Sequence, residues 1–311
     1  MKDTGLDKMI DFRRITPEDK PLYDAALASE GERGCEFAFA NLYLWGRQNI
    51  AVFGDSILLF SQFNRRSVYP FPLGRHEDRS AFDAIIADAR ERGIACRISG
   101  ITETAKETLE RFYPGRFRYH CDEGSFDYVY SIDDLADLHG KKYDSKRNHI
   151  RRFTDAHPDY TVEPITEENR AEVETFISEW YERRLADNPD GDFHMERAAI
   201  GKALRDRAAL ALDGIVIRDG GRILAMTLGG RLSADTFDVN FEKALGDVQG
   251  AYAIVNREFA RYVREKYPDV RYLDREEDMG LEGLRRAKQS YRPHHMIRKY
   301  WACLLDEEYE Y

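Results

Sequence analysis

Long apolar runs, paired cysteines and metal-ligand spacings are all missing from this chain, and each absence closes off a class of protein. No stretch approaches the ~20 apolar residues that a membrane-spanning helix requires. The four cysteines (Cys35, Cys96, Cys121, Cys303) are widely scattered, with no CxxC pair. They match neither a disulfide framework nor a zinc site, and read as buried structural thiols. The eight histidines form no HExxH-like pattern. His294 and His295 are adjacent, so their rings are expected to point different ways in either regular structure. No metal is expected. Residues 1–8 are too polar for a signal peptide, which makes cytoplasmic residence the expectation. Positive charge is also in deficit: the net charge of −10 argues against bulk attraction to nucleic acid or anionic lipid.

What is present is a core and two basic islands. With 311 residues and 42% hydrophobic content, the chain is long enough for two domains with real interiors. Between His139 and Arg152 the charge is +5, and between Gly280 and Tyr300 it is again +5, leaving −20 on the remainder. Basic islands in an acidic protein read as local anion sites rather than a general polyanion surface.

The patterning predicts a mixed α/β first half. Strands are expected near residues 11–15, 50–53, 56–60, 67–69, 95–99 and 126–130, with helices at 80–92 and 103–112. Thr16 before Pro17 reads as a helix start. The second half repeats the order: a strand at 160–163, helices at 166–185 and 195–212, a hairpin around Gly220-Gly221, a strand at 236–242, and a helix at 251–266. A strand at 270–273, a helix at 281–291 and a last strand at 296–304 complete it. The halves share a pattern and no sequence identity. The expected domains are residues 1–135 and 136–311.

The stretch from Thr236 to Lys266 is the most informative. Alternation puts Phe237, Val239 and Phe241 on one side of a strand and Asp238, Asn240 and Glu242 on the other. Two readings fit that polar row. Either it lines a binding cleft, with the Gly250 loop delivering amides at a helix N-terminus behind it, or it faces solvent on a one-sided sheet. A helix over 141–156 joins the halves, with Tyr143, Ile150 and Phe153 in one stripe. Arg147 falls on that stripe. A guanidinium there is expected to reach an anion, or else to snorkel or pair with a carboxylate.

The strand–loop–helix unit resembles the cofactor segment of the GNAT acyltransferases, with Lys243 and Gly250 as the loosely matching basic residue and glycine. A closer resemblance runs from about Asp11 to Tyr300. It rests on the segment from Lys142 to Phe153, on Asn240-Phe-Glu-Lys-Ala244 with Gly250-Ala-Tyr252, and on the segment from Asp274 to Tyr291. These are similar to the DUF2156 family, related to the C-terminal catalytic domain of phosphatidylglycerol lysyltransferases. One departure is Asp274, where asparagine is expected before Arg275-Glu276. The resemblance implies an α+β fold of two tandem GNAT-like units, as in Fem-type transferases, each a mixed, mostly antiparallel sheet flanked by helices. It also implies transfer of an aminoacyl group from aminoacyl-tRNA to an amine or hydroxyl acceptor, such as a small molecule or a lipid headgroup. A CoA thioester as donor, and a non-catalytic protein that binds an anionic ligand, remain alternatives.

No Ser/His/Asp or Cys/His arrangement suggests a covalent intermediate, so direct transfer is the expected mechanism. Glu242, Asn240 and Asp238 are the candidate catalytic residues, Glu242 foremost, to position or deprotonate the acceptor. Asp274, Glu276 and Asp278 are expected to alternate along one strand face and hold an α-amino group; Asp278 alternatively caps a helix. Arg147, Arg286 and Lys288 are the candidates for phosphate contact. Lys146, Asn148, Lys243 and Gly250 complete the substrate-binding set. Tyr291 reads as core packing.

Overall fold

The computed structural model describes residues 9–45, 48–63, 66–189 and 191–305. The chain forms two compact units, residues 1–126 with 297–311, and residues 127–296. In the first, strands β1 (Arg13–Arg14), β2 (Gln48–Phe53), β3 (Ser56–Phe63), β4 (Arg66–Pro70), β5 (Arg97–Ile101) and β6 (Phe117–Cys121) alternate with helices α1 (Lys20–Leu27), α2 (Phe39–Leu44), α3 (Ser80–Glu91) and α4 (Glu103–Phe112). Thr16 caps a 3₁₀ turn, Pro17–Asp19, in a reciprocal capping box with Asp19, and α1 follows directly.

The second unit contains β7 (Asp127–Ser131), α5 (Ile132–Asp137), α6 (Asp144–Ala156), β8 (Thr161–Pro164), α7 (Arg170–Asp187) and α8 (His194–Arg205). After these come β9 (Asp213–Asp219), β10 (Arg222–Arg231), β11 (Thr236–Ala244), α9 (Ala251–Lys266), β12 (Tyr272–Asp274), α10 (Glu282–Gln289) and β13 (His295–Ile297). The last strand, β14 (Tyr300–Leu304), returns to the first sheet, whose order is β1-β2-β3-β4-β5-β14-β6. The second sheet runs β13-β7-β12-β11-β10-β9-β8. The fold is α+β, two mixed sheets flanked by helices.

Two expectations about organisation differ from this picture. A boundary after residue 135 falls inside α5, whose Ile132, Leu135 and Ala136 are buried. The single strand expected over 296–304 is two strands in two sheets, because the chain leaves β13 and pairs again only from Tyr300, between β5 and β6.

In the second unit β11 is interior, parallel to β12 on one side and antiparallel to β10 on the other. The β11–α9–β12 connection is the crossover that a parallel pair demands. Helix α9 buries one apolar face, including Ile254, Val255, Phe259 and Val263, against the sheet, and Phe259 meets Phe237 edge-on at 5.9 Å. Two irregularities of β11 decide where its polar side chains point.

The first is a β-bulge. Gly230 pairs with Asp238 and Leu228 with Phe241, so β11 carries one more residue than β10 over that interval. Gly229 lies opposite, where an added Cβ would sit 2.1 Å from the Asp238 carbonyl oxygen. The second is a fork. The parallel pairing covers only Thr236–Asp238 against Tyr272–Asp274, after which β12 ends and β11 continues to Ala244.

Candidate functional site

The bulge divides the polar row. Paired residues of neighbouring strands share a face, so Asp238 and Phe241 lie on one side and Glu242 on the other. Asn240 stays with Asp238, donating from Nδ2 to Asp238 Oδ2 at 2.7 Å. Glu242 joins Phe237 on the α9 side. Asp238 is fully buried and Asn240 nearly so. The row therefore forms neither a continuous cleft wall nor a solvent face.

Glu242 instead meets Arg275 at the fork. Arg275 is the first residue after β12, and its Nη2 donates to Glu242 Oε1 at 2.9 Å. The side chains are only 14% and 11% exposed. Asn256 of α9 lies beside them; with its amide turned so that the oxygen faces the guanidinium, it accepts from Arg275 Nε at 3.3 Å and Nη1 at 3.2 Å. The guanidinium is flanked by the rings of Tyr130, 5.7 Å away, and Tyr291, 5.1 Å away. Across β10 from Glu242 stands Thr227, fully buried, whose Oγ1 has no hydrogen-bond partner among the described residues.

Lys146, in the first turn of α6, reaches the same cluster. Its Nζ lies 3.7 Å from the centroid of the Tyr291 ring and donates to Ser290 Oγ at 2.6 Å. Burial, reinforced by the charge of Arg275, pulls the Lys146 ammonium down to about 8. Burial pushes the Tyr291 phenol up to about 12. Tyr291 is thus a buried ring between two cations as well as core, and its carbonyl accepts from Tyr143 at 3.1 Å.

The remaining sequence candidates lie elsewhere or do structural work. Arg147 is 42% exposed and donates to the carbonyls of Leu138 and Gly140 while pairing with Asp144. Its place on the packed stripe fails because α6 begins at Asp144, which leaves Tyr143 in a 3₁₀ turn outside the helical phase. Asn148 is exposed on α6. Lys243 points away from Glu242, to Glu196 Oε1 at 2.7 Å, and lies 4.6 Å from the Trp180 ring. Arg286 is 74% exposed beside Glu282.

The acidic strand face expected over 274–278 does not form, because β12 ends at Asp274. Asp274 Oδ1 accepts from the Glu276 amide at 2.8 Å, and Glu276 turns into the left-handed region at φ +58°. Asp278, fully buried, takes bonds from Tyr128 (2.6 Å), the Gly280 amide (2.8 Å) and Arg285 Nε (2.8 Å). These partners, Arg285 foremost, hold its carboxyl down at about 2. Lys288 is buried and donates to the carbonyls of Arg275, Glu276 (3.0 Å) and Glu277 (2.7 Å). An ammonium has three N–H donors, so this triad saturates it and leaves none for a phosphate. Asp278 and Lys288 together fix the loop that carries Arg275.

Gly250 is explained by packing. At φ +84°, an added Cβ would lie 2.3 Å from the His149 carbonyl oxygen of α6. The glycine lets α6 approach the N-terminus of α9. The rings of His294 and His295 also depart from expectation, meeting Nδ1 to Nδ1 at 2.9 Å, since His294 lies just outside β13 and is not bound by strand alternation.

Sequence reasoning thus missed Arg275, Asn256, Tyr130 and Thr227. The Gly229-Gly230 pair inside an apolar strand was the signal for the bulge. Nothing in the sequence marks Asn256, a single polar residue on the buried face of α9.

A family model described as "Phosphatidylglycerol lysyltransferase, C-terminal" matches residues 28–303. No curated protein matches the chain. Among solved structures, a conserved protein of unknown function from Bacteroides thetaiotaomicron is 35% identical, with 96% of this chain and 100% of that one covered and a TM-score of 0.90. L-PGS from Bacillus licheniformis is 16% identical over 92% of each chain, with a TM-score of 0.66. FemX is 12% identical over 95% of this chain and 98% of its own, with a TM-score of 0.52. The fold is shared with L-PGS and with FemX. Among the described residues no helix is long and apolar enough to cross a membrane.

Proposed function

This chain belongs to the phosphatidylglycerol lysyltransferase C-terminal family, and from that premise we propose that it moves an aminoacyl group from aminoacyl-tRNA directly to an amine or hydroxyl acceptor. The observation that carries the reading is the buried Glu242–Arg275 pair at the fork of β11 and β12, with Lys146 over Tyr291 beside it. Aminoacyl transfer from an ester needs an oriented acceptor, an outlet for its proton and positive charge near the developing oxyanion. Arg275 supplies that charge where little water screens it. Glu242 and Asn256 hold the guanidinium in place, and Glu242 positions the acceptor. Asp238 and Asn240, on the other face, take no direct part.

A lipid headgroup and a small-molecule amine or alcohol both satisfy this acceptor chemistry. The donor requires access to charged tRNA, hence a cytoplasmic location. The test is to incubate the pure protein separately with charged tRNA pools and with acyl-CoAs, and to follow which donor loses its acyl group. Acceptor-dependent deacylation of tRNA, lost in Glu242→Gln, is the expected result. Consumption of acyl-CoA alone would make the protein a CoA-dependent N-acyltransferase. Consumption of neither would leave a non-catalytic binder of anionic ligands.

A further inference from the structure

Among the basic side chains at the fork, Lys146 stands apart. Arg275 has Glu242 as its ion-pair partner, and on α6 the carboxylate of Asp144 is engaged by Arg147. Lys146, half-buried, has a hydroxyl (Ser290) and an aromatic ring (Tyr291) as its close partners and, among the described residues, no carboxylate ion pair. The groups that face it are therefore one cation, Arg275, one phenol, Tyr291, and one alcohol, with Glu242 behind the guanidinium. The Tyr291 face favours the ammonium, whereas partial burial, the neighbouring guanidinium and the lack of a carboxylate disfavour it, and the balance falls toward the neutral amine.

Resting on the aminoacyl-transfer reading, we propose that Lys146 is the group that accepts the proton of the attacking amine or hydroxyl and passes it to the leaving oxygen. Attack forms the new C–N or C–O bond at the ester carbonyl, and the acceptor's proton moves to the neutral Nζ of Lys146. Collapse of the tetrahedral intermediate breaks the bond to the ribose oxygen, and Nζ returns its proton there. One acceptor hydrogen becomes one ribose hydroxyl hydrogen, with no net proton taken up. Glu242 is poorly placed for this task, since Arg275 Nη2 already donates to its Oε1 and competes for the lone pair that a proton would take. Tyr291, pushed up to about 12, releases no proton near neutrality. The Lys146 amine, down at about 8, loses and regains a proton at small cost there, which is the condition for efficient general base catalysis.

The test has two parts on the full chain. Competitive acetylation of lysines with acetic anhydride across pH 6–11, read by peptide mass spectrometry, should show Lys146 reactivity rising with a midpoint near pH 8, ahead of surface lysines. In the transfer assay, wild-type kcat/KM should rise with pH to a plateau through the same midpoint. Lys146→Arg, which keeps the positive charge but cannot shuttle the proton, should lose on the order of 10²-fold or more in kcat. Its KM for aminoacyl-tRNA should stay within about threefold of wild type. Near-wild-type kcat in Lys146→Arg, or a labelling midpoint above pH 10 in an active enzyme, would overturn the base role alone. Absence of transfer from aminoacyl-tRNA by the wild type would overturn the parent reading and this role with it.

Discussion

Asp238 and Glu242, both on β11, project from opposite faces of the second sheet because a bulge intervenes between them. Asp238 is buried with Asn240, whereas Glu242 faces Arg275 and Asn256. Substitutions at the two sites should therefore separate. Glu242→Gln is expected to cut transfer by at least 10²-fold while shifting stability modestly. Asp238→Asn should change stability, and lower activity only in proportion to the folded fraction. Parallel denaturation curves and transfer rates for the two variants check this; equal kinetic defects in both would contradict it.

Breaking the fork pair from one side leaves a largely buried charge without its partner. Arg275→Met is expected to cost about 3 kcal/mol, and Glu242→Gln less, because a neutral amide still accepts a hydrogen bond. In the Arg275→Met/Glu242→Gln double variant the loss should be smaller than the sum of the two singles. Urea unfolding of the four proteins gives that coupling directly.

Acid should loosen the loop that carries Arg275. The folded-state value of Asp278, about 2, lies below the ordinary carboxylate value of ~3.9. Its contribution is thus fully present above pH ~4 and is lost as the pH falls through about 2. The size is about 2 kcal/mol at neutral pH. Asp278→Asn should lower stability at pH 7 by a comparable amount and flatten the acid limb between pH 4 and 2, as followed by urea midpoints across that range.

Gly250→Ala is expected to destabilise the second unit by at least about 2 kcal/mol, combining left-handed backbone strain with a clash against the His149 carbonyl. Thermal unfolding reads the loss. A neutral result would mean that α6 can retreat from α9.

Thr227→Val replaces a buried hydroxyl that has no hydrogen-bond partner among the described residues by a methyl of similar shape, so stability should stay level or rise by up to about 1 kcal/mol. A loss of activity without loss of stability would assign that hydroxyl to the substrate.

Much of the fold was legible because local rules dominate it. Helices α4 and α9 run over the predicted residues, 103–112 and 251–266, since apolar periodicity and their boundary residues agree there. The β2–β3 hairpin forms about Gly54 and Asp55, with Gly54 at φ +57°. The candidate site was legible only in part. Glu242 and Lys146 are in it, but Arg147 and Lys243 point elsewhere, and Asp274, Asp278 and Lys288 hold a loop. Each failure has one cause: the direction of a side chain depends on where an element begins, bulges or ends, and a shift of one residue reverses it.

The sequence by itself determined the family, the two-unit mixed architecture and the segments that converge on the site, because these rest on residue types and periodicities written into the chain. The tertiary structure alone decided which charges meet. The bulge in β11 turned Glu242 away from Asp238, the early end of β12 freed Arg275 to cross the fork, and burial beside that guanidinium set Lys146 apart from the other lysines. Those outcomes depend on partners distant in sequence and on how much water remains between them, neither of which any local pattern records.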